Sequence, residues 1–397
     1  MQTTASDRPA GQITAISAMI AALVGTILGL AGTDLMLPAV PSLPDALGGT
    51  QAMAQGVLAS YTFGIAIGLI VWGEAGSRFN QVTLLLFCLF GFALASVLAT
   101  RASSLPTLSL LRFVQGFVGA APAVFSPVWI RSLVPEGAVV RVFGLLATFE
   151  SMTPALAPIV GLWLLASFGW TSSFYLLFVL TLGAIILLLI IRGRAPTLTI
   201  MGQAGSYSSL LTNLVYWRYG LSQAASLAGL LIFVFGMPAV MVHVFELGVE
   251  RFIMMQITGI FFFAVCANIT GLITKRLGEE TVIVFGSTLS AIAMLVMIIV
   301  HLAGVGNVNA YIALFILVNA GLGLRAPPGF NRALAVSESN EARAAALVLL
   351  FAFIGTAAGT AITAPYVEHG LTELLATSFV VLTISPALLM LLPKGQA

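Results

Sequence analysis

The chain has 397 residues, of which 59% are hydrophobic and only 8% charged, with a formal net charge of +2. An ordinary soluble domain carries about a quarter charged residues, so a water-soluble globule of this size, which must cover its surface with polar groups, is excluded. With a mean hydropathy of +1.09 over the whole length, the chain reads as an all-α membrane protein that crosses the bilayer many times.

A bilayer core about 30 Å thick takes roughly 20 helical residues per crossing. Apolar runs lie at roughly 13–40, 51–73, 82–100, 105–130, 141–167, 170–191, 216–241, 252–274, 281–302, 308–330, 343–366 and 371–392, which predicts twelve transmembrane helices. A β-barrel would need alternating apolar and polar residues, and a run such as Ala184 to Ile191 does not alternate. The polar stretch Gln2 to Gln12 leads into a first run too long for a signal peptide and without a clean small-residue cleavage site, so it reads as an uncleaved helix. Cys88 and Cys266 both fall inside apolar runs and read as small core side chains.

The longest polar interruption, Arg192 to Trp217, separates the sixth and seventh runs. It predicts an N-terminal six-helix bundle over 1–194, a cytoplasmic linker over 195–214 and a C-terminal six-helix bundle over 215–397. The Lys/Arg bias gives the orientation. With a cytoplasmic N-terminus, Arg8, Arg78, Arg131, Arg141, Arg192, Arg194, Arg218, Lys275, Arg276, Arg332, Arg343 and Lys394 are all inside, and only Arg101 and Arg251 are outside. Both termini are therefore expected in the cytoplasm. The halves also resemble each other at an offset near 200 residues: Leu37-Pro38-Ala39-Val40 matches Met237-Pro238-Ala239-Val240, and Arg131-Ser132-Leu133 matches Arg332-Ala333-Leu334. Such a repeat predicts two pseudo-symmetric bundles about an axis along the membrane normal, with substrate held near mid-membrane.

A charged group inside the bilayer costs at least about 2.5 kcal/mol, and four such groups survive the span assignment: Asp34, Arg112, Glu150 and Arg325. Asp34, just before Pro38, is either an interfacial carboxylate in a wet helix end or a protonatable group facing a central cavity. Arg112 has Gln115 one turn later on the same face, and a guanidinium so placed is expected to bond backbone carbonyls or a carboxylate, as a brace or in proton exchange. Glu150 lies nine residues past Arg141, about 14 Å into the membrane at helical rise, which makes it the leading site for a proton or cation beside the reading of a neutral carboxyl that merely packs its helix. Arg325 is expected to pair with Glu150 or Asp34, to bind an anionic substrate group, or to reach along its stem toward the inner surface. Tyr61, Phe63 and Trp72 are candidates for lining an apolar cavity. His243, Glu246 and His301 end helices near the outer surface and read as rim groups, with no convincing metal spacing. No GxxxxGK[ST] loop is present, so energy is expected from an ion or substrate gradient rather than ATP.

Several stretches resemble the major facilitator superfamily, in particular the twelve-helix drug/proton antiporters of the bicyclomycin-resistance and chloramphenicol-exporter type. Thr33-Asp34-Leu35-Met36-Leu37-Pro38-Ala39-Val40-Pro41 is similar to that family's TDxYLPAxP segment, and Arg112-Phe113-Val114-Gln115-Gly116 to its RxxQG motif, whose arginine is associated with proton exchange. Thr153-Pro154-Ala155-Leu156-Ala157-Pro158-Ile159-Val160-Gly161, followed by Phe168-Gly169-Trp170, is similar to the antiporter segment of the fifth helix. The loop Gly73-Glu74-Ala75-Gly76-Ser77-Arg78-Phe79-Asn80-Gln81 departs from the family's GxxSDRFGRR: Ser77 stands where the acidic residue is expected and the following basic pair is missing. Glu150 and Arg325 lie outside the family's motifs.

The resemblance implies the major facilitator fold and a proton-coupled exporter of a small amphipathic drug-like compound, acting by alternating access in the bacterial inner membrane. Asp34, Glu150 and Arg112 are the expected proton-coupling residues, and Asp34, Gln115, Glu150, Arg325 and Tyr61 the expected substrate-binding ones. No cofactor, metal, nucleic acid or enzymatic activity is expected, and the chain is expected to be monomeric in the bilayer. Two other readings stand beside this one. An exporter or uncoupled facilitator of an endogenous metabolite, such as a siderophore or amino-acid derivative, is favoured by Arg325. A transporter-like sensor or assembly factor is favoured by the altered loop at Ser77.

Overall fold

The computed structural model describes residues 8–192, 205–247, 249–337, 340–363, 365–367 and 370–394. Arg194 at the end of the expected N-terminal bundle, Pro196 and Gly202 of the expected linker, and residues 2–7 of the polar N-terminal stretch lie outside the described residues, as does the His243 side chain. Among the described residues twelve helices are long and apolar enough to cross a membrane. They are α1 (Arg8–Asp34), α2 (Gln51–Arg78), α3 (Gln81–Ala99), α4 (Leu105–Leu133), α5 (Glu136–Phe168) and α6 (Ser172–Arg192). The series continues with α7 (Leu214–Tyr216, a π-turn Trp217–Leu221, then Ser222–His243), α8 (Val249–Leu277), α9 (Glu279–Leu302), α10 (Val308–Ala335), α11 (Glu341–Thr363) and α12 (Thr372–Leu391). Each apolar run of the sequence falls on one of them.

Local chemistry sets the helix ends. The side chains of Thr50, Asn80, Ser104 and Asn307 accept from the backbone N–H three residues on, satisfying a donor that the first turn leaves free. Prolines interrupt the ladders inside the membrane. The first helix was expected to run to Val40, but α1 stops at Asp34 and the chain tightens into a 3₁₀ turn over Leu37–Ser42. The physical reason is Pro38, which has no N–H to give the carbonyl four residues back, that of Asp34. Pro154 inside α5 stands in the same relation to Glu150. Pro122 breaks α4 into Leu105–Gly119 and Ala121–Leu133.

Contacts divide the chain into two compact units, one of residues 1–134 and 152–204, the other of 135–151 and 205–397. The first four turns of α5 thus pack with the second unit and its remainder with the first. In the first unit α2 lies along α4, α3 along α6, and α1 against both α4 and α6. The second unit repeats most of the scheme one half-chain later: α8 lies along α10, α9 along α12, and α7 against both α10 and α12, while α7 also packs along α11. Close crossings use small residues. A Cβ at Gly64 would collide with the Phe113 carbonyl, and one at Gly116 with that of Tyr61, so α2 and α4 approach backbone to backbone. Large apolar side chains such as Phe87, Phe90, Trp163, Phe261 and Leu272 are exposed, as a chain solvated by lipid requires.

Candidate functional site: buried charges of two helical units

Arg112 on α4 is fully enclosed, at 0% exposure. The expected carboxylate or backbone carbonyl is not what holds it. Its Nη1 donates to Gln115 Oε1 at 2.6 Å, Gln115 Nε2 donates to Ser96 Oγ on α3 at 2.7 Å, and Ser96 Oγ donates to the Phe92 carbonyl. The guanidinium carbon lies 3.9 Å from the centre of the Tyr61 ring, well inside cation–π range. Arg112 Nε and Nη2 have no hydrogen-bond partner. The i,i+3 spacing of Arg112 and Gln115 was legible in the sequence; Tyr61 and Ser96, on other helices, were not.

Tyr61 does not present its ring to an open cavity. It is 0% exposed, its hydroxyl donates to the Gly29 carbonyl of α1 at 2.5 Å, and a Cβ at Gly32 would collide with that hydroxyl. Asp34 follows two residues later, half-buried at the end of α1. The first unit therefore gathers Tyr61, Arg112 and Gln115 into one cluster and ties it to the helix that carries Asp34. The companions grouped with Tyr61 behave differently. Phe63 is exposed and packs on Phe113, while Trp72 is buried between Phe87 and Phe117 with its Nε1 donating to the Phe117 carbonyl at 2.7 Å.

Arg325 on α10 is also 0% exposed, and its hydrogen bonds go to α7: Nη1 to the Ser222 carbonyl and to Ser226 Oγ, both at 2.8 Å, and Nη2 to Ser222 Oγ at 2.9 Å. Ser385 of α12 donates to Ser222 Oγ and to Ser287 Oγ of α9, which extends the cluster over four helices. The expected pairing with Glu150 or Asp34 is not formed, and the side chain does not reach the surface, because hydroxyls one turn apart on α7 meet it inside the bundle. Glu150 belongs to the second unit and is half-buried. Two residues before it, Thr148 Oγ1 accepts from Asn268 Nδ2 of α8 at 2.9 Å, where a Cβ at Gly144 would collide with the Ala267 carbonyl. Among the described residues no ion pair involves Asp34 or Glu150.

A further cluster escaped sequence reasoning. Arg218, in the π-turn of α7 and 1% exposed, is paired with Glu280 at the start of α9 and donates from Nη1 to the Leu392 carbonyl at 2.6 Å. Tyr219 Oη donates to the other Glu280 oxygen at 2.8 Å, and Glu279 pairs with Arg332 at 3.0 Å and accepts from Asn331 at 2.9 Å. The signal was in the repeat: Gly271-Leu272-Ile273-Thr274-Lys275-Arg276-Leu277-Gly278-Glu279 matches Gly73 to Gln81 in the spacing of glycine and arginine, with Glu279 where the first half has Gln81. In the first unit that glutamine accepts from Trp129 Nε1 at 2.8 Å and donates to the Gly76 carbonyl at 2.8 Å, while Arg78 pairs with Glu74 of its own helix. At the other end of α9, His301 bonds Tyr311 Oη at 3.2 Å and Thr372 Oγ1 at 3.0 Å.

Twelve apolar helices in two units of largely matching packing, with polar groups enclosed in each, define a multi-pass membrane protein. Solved structures share the fold: the proton:xylose symporter XylE, with a TM-score of 0.75 over 98% of each chain at 15% identity, and FucP in its outward conformation, with a TM-score of 0.73 over 97% of this chain and 100% of that one at 14% identity. The Major Facilitator Superfamily profile matches residues 22–361, and the chain belongs to that superfamily. It is 31% identical over 146 residues to a bicyclomycin resistance protein homolog of Haemophilus influenzae, a match that takes in 37% of each chain. It is 26% identical over 303 residues to a chloramphenicol resistance protein of Pseudomonas aeruginosa, covering 75% of this chain and 71% of that one. The matched stretch is thus well under two thirds of the Haemophilus relative and more than two thirds of the Pseudomonas one.

Proposed function

We propose that the chain is a secondary exporter of small amphipathic drug-like compounds, exchanged for protons by alternating access in the bacterial inner membrane, with both termini cytoplasmic. The two bundles of this reading are residues 1–194 and 215–397, joined by a cytoplasmic linker over 195–214, and the protein works as a monomer. The observation that carries the reading is the presence of two enclosed arginines held by neutral groups and of two half-buried carboxylates that hold no ion pair among the described residues. A carboxylate that is not committed to a cation is free to exchange a proton or to meet a cationic or polar ligand.

Asp34 and Glu150 share a second feature. Each stands four residues before a proline, so its own backbone carbonyl lacks the usual helical donor and adds an acceptor beside the carboxyl group. We assign proton exchange to these two groups, with Arg112 as the fixed charge of the first unit and Gln115 as its holder. Arg325 serves as a brace within the second unit. Export of compounds like those named for the relatives, bicyclomycin and chloramphenicol, is the reading that the sequence relationship supports.

The test is uptake of radiolabelled chloramphenicol and bicyclomycin into everted membrane vesicles with and without a proton gradient. Wild type accumulates one of them only with the gradient, and Asp34→Asn and Glu150→Gln each lower gradient-driven uptake by about fivefold or more, the low end of typical coupling. Uptake that is insensitive both to collapse of the gradient and to the two substitutions overturns the antiport reading.

A further inference from the structure

A guanidinium taken wholly out of water ordinarily has a carboxylate beside it, because the desolvation of the charge is otherwise uncompensated. Arg112 has none. One of its nitrogens is bonded, to Gln115, and two others, Nε and Nη2, have no partner. What lies against the charge is an aromatic face: the Tyr61 ring centre is 3.9 Å from Cζ, and the Phe174 ring centre follows at 5.9 Å. The negative face of an aromatic ring attracts a desolvated cation.

Tyr61 is itself fixed more tightly than a packing residue requires. Its hydroxyl donates to the Gly29 carbonyl, Gly32 leaves room for that hydroxyl, and Gly116 leaves room for the Tyr61 backbone. Three glycines on α1 and α4 thus keep one side chain in place. The acceptor, Gly29, lies five residues before Asp34, about 7.5 Å along the helix axis. The unbonded Nε and Nη2 are the two nitrogens of the guanidinium's side-on edge, the edge that takes a carboxylate through two parallel hydrogen bonds.

We infer that Tyr61 is a positioning residue that stands in for the missing carboxylate of Arg112. Its ring holds the guanidinium, its hydroxyl ties that station to the helix bearing Asp34, and the side-on edge stays uncommitted for a carboxylate that arrives during the cycle. The last part of this role rests on the proton-coupled exporter reading; the hold on Arg112 does not.

The experiment uses the full-length purified protein in two readouts. Thermal unfolding in detergent compares Tyr61→Phe and Tyr61→Leu in the Arg112 and Arg112→Met backgrounds, a double-mutant cycle. Leucine lowers the midpoint in the Arg112 background, phenylalanine restores most of it, and the leucine penalty shrinks when Arg112 is methionine. A leucine penalty of equal size in both backgrounds overturns the inference, because Tyr61 would then be a packing residue only.

The second readout is the pH profile of gradient-driven chloramphenicol or bicyclomycin uptake into vesicles, whichever wild type accumulates. Tyr61→Phe, which keeps the ring and loses the tie to Gly29, unfolds near the wild-type midpoint yet shifts the profile, with uptake at the wild-type optimum lowered by about fivefold. An unchanged profile overturns the coupling part. Absence of uptake by wild type itself speaks against the exporter reading and leaves the thermal cycle to decide the hold on Arg112.

Discussion

The two units carry the same helix-packing scheme but answer the problem of buried charge differently. In the first, Arg112 rests on a tyrosine ring and one glutamine, with two nitrogens left over. In the second, Arg325 makes three hydrogen bonds to serines of α7 and is joined to a chain of hydroxyls across α9 and α12. The Arg-rich ends differ as well: the first unit uses the neutral Gln81–Trp129 contact, while the second uses the Arg218–Glu280 and Arg332–Glu279 ion pairs. Arg325 keeps one unpartnered nitrogen, Nε, against the Nε and Nη2 of Arg112, so the more fully bonded unit reads as the scaffold and the less bonded one as the working part, since a cation with more spare donors responds more readily to a new partner.

The comparison breaks most readily at Glu280. Glu280→Ala leaves the enclosed Arg218 with a backbone carbonyl as its one hydrogen-bond partner among the described residues and removes the acceptor of Tyr219, and is expected to cost about 3 kcal/mol of stability, the low end for breaking a buried pair because Glu280 is partly exposed. Thermal or denaturant unfolding measures it, and a loss under about 0.5 kcal/mol, the range of ordinary surface substitutions, contradicts the scaffold view. Next comes Gln115→Leu, which strips Arg112 of its hydrogen bond and is expected to cost about 2 kcal/mol. In transport it should disturb the response to the proton gradient more than any serine variant of the second unit.

A smaller effect is expected for Ser226→Ala. It deletes one of the three hydrogen bonds to Arg325, costs about 1.5 kcal/mol, and leaves gradient-driven uptake near the wild-type rate. Should this substitution abolish uptake in protein that remains folded, the two units have been ranked the wrong way round. Arg78→Ala is expected to leave unfolding unchanged, since it loses an exposed pair within one helix. The corresponding change in the second half, Arg332→Ala, is expected to be measurable because Arg332 and Glu279 are each about a quarter exposed and join α10 to α9.

Much of the fold is legible in the residues themselves. Lipid demands long apolar helices, so their number and approximate limits follow from hydropathy, and the ends that shifted did so where a proline removes a donor, as at Pro38. The positions of Arg112 and Arg325 were legible for the same reason, since charged residues are so few that one deep inside an apolar run stands out, whereas Arg218, near the start of its run, was read as a topology charge and is enclosed. What holds them was not. Tyr61 is 51 positions from Arg112, and Ser222 is 103 positions from Arg325, and no local spacing links such pairs. Arg325 looked like a gate or ligand group because a deep arginine suggests a carboxylate partner, yet two serines one turn apart engage both of its terminal nitrogens. The match of Gly73–Gln81 with Gly271–Glu279 was present in the sequence and would have pointed to the ion pairs of the second unit.

In the proposed cycle ligand and proton are thermodynamically linked through Asp34 and Glu150. Linkage is reciprocal, so a compound that binds must displace protons from these groups. The direct measurement is proton release in weakly buffered detergent solution on adding a compound, chloramphenicol or bicyclomycin, already seen to raise the unfolding midpoint of both wild type and the doubly substituted Asp34→Asn, Glu150→Gln protein. The account predicts proton release from wild type and none from the double variant. Binding by both proteins with no release from wild type, or with equal release from each, contradicts it.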